Sequence, residues 1–146
     1  MQMPTPTLTD YPLQTYEKLR YADTDRQGHV NNAIFATMLE TGRVELLYAP
    51  DAPLFDDGCA FVIASLHLDF LGEINWPGKV HVGTRVANVG RSSFTLEQGL
   101  FQEDECVATA QTVIVQMNES NRRAQSLSAA AVQRLTELLP KIEAAT

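Results

Sequence analysis

The residues best suited to chemistry in this 146-residue chain are concentrated between positions 23 and 32. They are two aspartates, a histidine and two asparagines: Asp23, Asp25, His29, Asn31 and Asn32. A carboxylate placed beside an electrophilic carbonyl can activate water as a general base or attack directly as a nucleophile. The alternative interpretation is structural, because aspartate and asparagine also form turns and cap helices.

A helix is predicted over residues 33–48, immediately after this polar segment. Its apolar positions follow i, i+4, i+7, i+11 spacing, and they are Phe35, Leu39, Gly42 and Leu46. Asn31 or Asn32 is the expected N-cap. A helix N-terminus carries unpaired N–H groups and about half a positive charge, so it can polarise a carbonyl or hold an oxyanion. Gly42 costs about 1 kcal/mol relative to alanine, which indicates close packing against a sheet.

Alternating apolar residues predict five strands, and their order around the helix predicts an α+β fold with an antiparallel sheet. The strands are expected at residues 14–22, 60–71, 79–89, 93–102 and 106–117. Ser128 is expected to cap a C-terminal helix that Pro140 ends near Leu139. Residues 1–13 contain three prolines and are predicted to form a flexible arm, which leaves residues 14–146 as a single domain.

Two further groups of side chains invite interpretation as sites. Ser65, His67 and Asp69 share one face of a predicted strand, in the pattern of a triad. Successive positions on one face are about 7 Å apart, which predicts no direct hydrogen bonds, so a polar or subunit-facing surface is the preferred interpretation. Cys59 and Cys106 lack the spacing of a metal site, and buried free thiols are expected.

Composition excludes several classes of partner. The net charge of −7 and a pI near 4.8 argue against binding to nucleic acid or to an anionic membrane surface. No apolar run approaches the length of a membrane span, and the N-terminus lacks the pattern of a signal peptide. The expectation is a cytoplasmic protein without a metal or cofactor.

The segment Tyr21–Asn32, YADTDRQGHVNN, followed by Glu40 and Arg43, resembles the signature of hotdog-fold acyl-CoA thioesterases of the hydroxybenzoyl-CoA thioesterase type. It is also similar to the D-x-x-x-H-V-N-N segment of acyl-ACP thioesterases. The resemblance implies a five-stranded antiparallel sheet wrapped around a long central helix, with a C-terminal helix. It also implies a homodimer or homotetramer with active sites between subunits.

By position, the resemblance implies that Asp25 is the catalytic carboxylate, with His29 and Asn31 as its polar partners. Asn32 falls where some relatives carry a histidine, and Phe35 where many carry a tyrosine. Some hotdog thioesterases use a glutamate on the central helix instead, and Glu40 is the candidate for that role.

The implied activity is hydrolysis of an acyl-CoA to the free acid and CoA. Backbone amides near Val30 to Asn32 would polarise the thioester carbonyl. The turn containing Arg91, Ser92 and Ser93 is expected either to bind a phosphate of CoA or to be a solvated hairpin turn. Two alternatives remain at this point, a hotdog enoyl-CoA hydratase or dehydratase and a non-catalytic acyl-CoA-binding protein.

Overall fold

The computed structural model describes residues 5–140, which fold into a five-stranded antiparallel sheet and two α-helices. In chain order the elements are β1 (Leu13–Lys18), α1 (Asn32–Leu47), β2 (Cys59–Phe70), β3 (Lys79–Val89), β4 (Ser93–Gln102), β5 (Glu105–Asn118) and α2 (Ala129–Glu137). The strand order in the sheet is β1-β3-β4-β5-β2. This confirms the predicted α+β hotdog architecture, and the bounds of β3 and β4 match the prediction at both ends.

The central helix α1 packs against the sheet through its apolar face. Asn31 is the N-cap, and its side-chain oxygen accepts the N–H of Ala33 at 2.9 Å. Gly42 is buried, and a Cβ atom at this position would lie only 2.8 Å from the side chains of Val82 and Gln98. The close packing predicted from this glycine is therefore confirmed.

Helix α1 lies mainly over β1, β3 and β4, so the helix-facing side of β2 is left open. Leu66 and Phe70, which point to that side opposite Thr112 and Ala108 of β5, are 42% and 50% exposed. β2 is also an edge strand, and its outer backbone groups have no neighbouring strand among residues 5–140. The described chain thus presents a long, partly apolar strand edge beside the helix.

Two details of β2 differ from the prediction. The pairing with β5 shifts register between Ile63 and Ser65, so a bulge at Ala64 interrupts the expected alternation. The expectation that His67 and Asp69 are too far apart to bond is wrong, because His67 Nε2 lies 3.1 Å from each carboxylate oxygen of Asp69. The two side chains lean toward each other although the residues are two positions apart on the strand. Both are exposed, on the sheet face that points away from α1.

One residue of the segment that was predicted to form a flexible arm is anchored on the sheet. Tyr11 is only 3% exposed, and its ring packs edge-on against Phe101 and over the backbone of Gly83. β1 begins at Leu13 and ends at Lys18, so the predicted strand at 14–22 was too long. Residues 1–4 lie outside the described residues.

The C-terminal helix begins as predicted, because the Ser128 hydroxyl accepts the N–H of Ala131 at 3.0 Å. It ends at Glu137, two residues before the predicted end, and Ile142 of the predicted apolar stripe lies outside the described residues. Cys59 and Cys106 are buried free thiols, as expected. Neither helix within residues 5–140 combines the length and apolar character needed to cross a bilayer.

Candidate active site

The loop that leads into α1 is held in place by Asp23. Its carboxylate accepts hydrogen bonds from the Arg20 side chain at 2.8 and 3.2 Å and from the Arg20 backbone at 3.0 Å. Burial alone would raise the pKa of Asp23, but the hydrogen bonds from Arg20 outweigh burial and hold the pKa below its ordinary value of 3.8. The backbone carbonyl of Asp23 accepts the N–H of Asn31 at 2.9 Å, which ties the loop to the helix start.

Asp25 has a different environment from Asp23. Its Oδ1 accepts the backbone N–H groups of Gln27 at 2.8 Å and His29 at 3.2 Å, in a tight turn where Gly28 adopts a φ of 84°. Among residues 5–140 its Oδ2 accepts no hydrogen bond. One oxygen therefore fixes the orientation of the carboxylate, and the other is available to water or a substrate.

His29 is positioned by a segment that follows β2. Its backbone forms an isolated β-bridge with Asn75, and the next N–H, that of Val30, donates to Ile74 at 2.8 Å. The ring Nε2 lies 3.2 Å from Oε2 of Glu73. Glu73 was not predicted as a site residue, since no local pattern marks it and only the return of the chain after β2 brings it here.

These groups line a cavity of about 420 Å³ at the N-terminus of α1. The polar residues that line it are Asp25, Gln27, His29, Asn32 and Glu73. The other lining residues are Val30, Phe35, Phe70, Leu71 and Gly72. The rings of Phe35 and Phe70 are 5.0 Å apart and meet edge-on. A carboxylate residue, a histidine, a helix N-terminus and an apolar wall therefore meet in one cavity, which is a suitable arrangement for binding an acyl group.

Two predicted residues take more limited positions around this cavity. Asn32 is the first residue of α1, so its N–H has no acceptor within the helix and is free to bind an oxyanion. Asn31 was predicted to be a polar partner of Asp25 in the catalytic group, but it does not line the cavity and its side-chain oxygen is engaged as the N-cap. Its observed role is to begin the helix at the right residue.

The Arg91 turn lies at the opposite end of the sheet from the cavity. Leu100 pairs with Ala108, which is also the partner of Phe70, whereas Ser93 pairs with Val115. The seven steps along the strand from Ser93 to Leu100 span about 24 Å. Arg91 donates through Nε to the hydroxyl of Ser126 at 3.0 Å. A single chain does not bring Arg91, Ser92 and Ser93 to Asp25, and their contact with CoA stays a prediction.

The alternative carboxylate, Glu40, is exposed and does not line the cavity. It lies eight residues beyond Asn32, about 12 Å along the helix axis. Arg43, on the next turn, is buried beside Gln98, and burial lowers the pKa of its guanidinium although nearby Glu40 opposes the shift. The geometry thus favours Asp25 over Glu40.

A second cavity of about 610 Å³ lies between α1, β1 and α2, on the other flank of the central helix. It contains none of the predicted site residues. The smaller cavity is the candidate active site, because it alone of the two combines Asp25 with the N-terminus of α1.

Comparison with known proteins identifies the family. The model of the thioesterase-like superfamily matches residues 19–138. A protein of Pseudomonas aeruginosa strain PAO1 has the same fold, with a TM-score of 0.84 and 23% identity over 96% of this chain and 100% of that one. A thioesterase from Thermus thermophilus, complexed with coenzyme A and Zn, is 28% identical over 88% of this chain and 95% of its own, with a TM-score of 0.76.

A DHNA-CoA thioesterase from Staphylococcus aureus also has the same fold, with a TM-score of 0.70 and 24% identity over 77% of this chain and 78% of that one. No curated protein matches the sequence. The family match covers most of the chain and includes every residue of the cavity. The chain therefore belongs to the thioesterase-like superfamily and is a thioester hydrolase with a hotdog fold.

Proposed function

We propose that the protein hydrolyses acyl-CoA thioesters and that Asp25 is the catalytic carboxylate. The observation that carries the proposal is the environment of Asp25. Two backbone N–H groups hold its Oδ1, Oδ2 accepts no hydrogen bond from residues 5–140, and Asp25 lines the cavity where α1 begins. A relative complexed with coenzyme A supports CoA as the leaving group.

The reaction follows from this geometry. The thioester carbonyl oxygen binds the free N–H of Asn32, where the helix dipole stabilises the developing negative charge. Asp25 removes a proton from water while the water oxygen bonds to the carbonyl carbon. The C–S bond then breaks, and the released CoA thiolate takes up the proton that Asp25 holds. Direct attack by Asp25 gives an enzyme anhydride that water then hydrolyses to the same products.

The apolar part of the cavity is the proposed position of the acyl group. Phe35, Phe70 and Leu71 line it, and Phe70 and Leu71 are half exposed in the single chain. An acyl group that covers these side chains removes apolar surface from water, which favours binding by roughly 25 cal/mol for each Å² buried.

A homodimer formed through β2 is part of the proposal. The unpaired edge of β2 carries the exposed side chains of Val62, Ile63, Leu66 and Phe70. Antiparallel pairing of β2 with β2 of a second copy provides hydrogen-bond partners for the outer backbone N–H and C=O groups of this strand and gives a symmetric interface. It also places the Cys59 end of one β2, the end nearer the Arg91 turn, beside the Phe70 end of the other. In that arrangement a cation from the second copy is available to a CoA phosphate.

The test is release of free thiol from a panel of aliphatic and aromatic acyl-CoAs. The Asp25→Asn variant preserves the shape of the side chain and removes the base, and a fall in kcat of at least about 100-fold is expected. Asp69→Asn, a change on the exposed face of β2, is the matched control and should retain the wild-type rate. Wild-type turnover in a folded Asp25→Asn protein would contradict the role of Asp25. Loss of enoyl absorbance without thiol release would instead identify a hydratase.

A further inference from the structure

We infer that Glu73 is a positioning residue for His29, fixing the imidazole so that Nδ1 is the ring nitrogen that acts on the attacking water. The inference rests on the proposed thioesterase function and adds a residue to it. Both side chains line the cavity that contains Asp25. Oε2 of Glu73 lies 3.2 Å from Nε2 of His29.

The backbone that carries Glu73 is fixed on both sides. The N–H groups of Leu71 and Gly72 donate to the carbonyl of Val107 at 2.9 and 3.1 Å. The side-chain amide of Gln102 bonds both the N–H and the C=O of Asn75, at 3.0 and 2.8 Å. Because these bonds hold residues 71–75 against the sheet, the backbone of Glu73 has a defined position relative to the cavity, while its side chain is 67% exposed.

The same segment fixes the backbone of His29. Asn75 forms a β-bridge with His29, and Ile74 accepts the N–H of Val30. His29 in turn donates its own N–H to Asp25 Oδ1 at 3.2 Å and accepts the N–H of Asp25 at 2.7 Å. The backbones of Asp25, His29 and residues 74–75 are therefore linked directly, and the carboxylates of Asp25 and Glu73 lie on either side of His29 in sequence and contact.

The chemistry of imidazole indicates which ring nitrogen of His29 accepts a hydrogen bond from water. A neutral imidazole has one N–H donor and one acceptor nitrogen, and a carboxylate beside one nitrogen selects the form in which that nitrogen carries the proton. With Glu73 beside Nε2, the lone pair is on Nδ1, which has no other partner among residues 5–140. A water molecule can then donate one hydrogen to His29 Nδ1 and the other to Asp25 Oδ2, which orients its oxygen toward the thioester carbon.

The exposed pair His67 and Asp69 provides an internal control. It has the same types of side chain with Nε2 3.1 Å from the carboxylate, but it lies on β2 outside the cavity. Removing its carboxylate changes a histidine–carboxylate pair without touching the site. Asp69→Asn is therefore the matched control for Glu73→Leu and Glu73→Gln.

The kinetic experiment measures thiol release for these variants, for His29→Gln and for the double variant Glu73→Leu/His29→Gln. Glu73→Leu should lower kcat by about 10-fold with little change in KM, as loss of the carboxylate that orients a functional histidine does. Glu73→Gln should retain more activity, because its amide oxygen can still accept from Nε2. The double variant should be no slower than His29→Gln alone, since Glu73 acts only through His29.

The spectroscopic experiment does not depend on turnover. Two-bond ¹H–¹⁵N correlation spectra should show His29 protonated on Nε2 in the wild type and in Asp69→Asn, and a changed tautomer population in Glu73→Leu. The inference is overturned if the Glu73 and His29 effects multiply, if only KM rises, or if the His29 tautomer is the same in Glu73→Leu. Failure of the wild type to hydrolyse any acyl-CoA would overturn the proposed function, whereas the spectra would still decide the pairing.

Discussion

At the scale of single residues, the site depends on two aspartates that are two positions apart and have opposite environments. Asp23 is 4% exposed and both of its oxygens are bonded to Arg20. Asp25 is exposed and keeps one oxygen free. The first stabilises the loop and the second performs the proposed reaction, so substitutions at the two positions should have separable effects.

Asp23→Asn should reduce stability without removing the proposed catalytic groups. The folded-state pKa of Asp23 is below its ordinary value of 3.8, so its stabilising contribution is present above about pH 4 and is lost as the pH falls through the folded-state pKa. The variant should have a lower Tm than the wild type at pH 7. Its Tm should also fall less than that of the wild type when the pH is lowered below about 4, as measured by thermal denaturation. Asp69→Asn, an exposed carboxylate, should leave Tm nearly unchanged. An identical pH profile for Asp23→Asn and wild type would contradict the structural role.

At the scale of the elements, the site depends on how closely α1 lies on the sheet. Gly42 permits this approach, and Asn31 sets the residue at which the helix begins. Gln98 contributes from beneath the helix, where its amide donates to the carbonyl of Leu39 and to the hydroxyl of Thr84, both at 3.0 Å. The helix N-terminus is therefore positioned by contacts well removed from the cavity.

Gly42→Ala should destabilise the protein although alanine is the better helix former. The new Cβ lies 2.8 Å from two side chains, and such overpacking costs about 1–3 kcal/mol, more than the roughly 1 kcal/mol gained in helix propensity. Urea denaturation measures the difference. Val44→Ala, at an exposed position of the same helix, should be close to neutral. A Gly42→Ala protein more stable than wild type would show that the sheet yields easily at this point.

Local patterns in the sequence predicted α1, β3 and β4 to within one residue at each end, because their apolar periodicity agrees with their burial. They missed the end of β1, where the Arg20–Asp23 bonds replace the strand by a turn. They also missed the bulge at Ala64 and the approach of Glu73 to His29, since pairing register and the return of the chain are long-range features. The dense polar segment identified the site, but not its full set of residues.

At the scale of the whole molecule, the predicted site residues fall at two ends of one sheet. Asp25 and the start of α1 are at one end, and the Arg91 turn is at the other. The unpaired β2 edge lies between them, along the side that α1 leaves open. A symmetric dimer through this edge would place complementary ends together, which predicts that each site uses both chains.

Subunit complementation tests this arrangement. Asp25→Asn and Arg91→Ala should each be impaired alone, the second chiefly through a higher KM for CoA thioesters. If Arg91 acts on the site of the other chain, mixed dimers contain one intact site, and unfolding and refolding the two variants together should restore about a quarter of wild-type activity. If both residues act within one chain, no mixed dimer has an intact site. Mixing that restores nothing beyond the average of the parents would contradict the shared site.

Burial of both cysteines also affects how readily the protein forms disulfides with the thiol that it releases. Cys59 and Cys106 are 4% and 8% exposed, and burial raises the pKa of each thiol. Thiol–disulfide exchange requires an accessible thiolate, so these side chains resist attack by the oxidised form of a released thiol. A hydrolase that liberates thiols at every turnover is thereby protected from becoming trapped as a mixed disulfide when its surroundings turn oxidising.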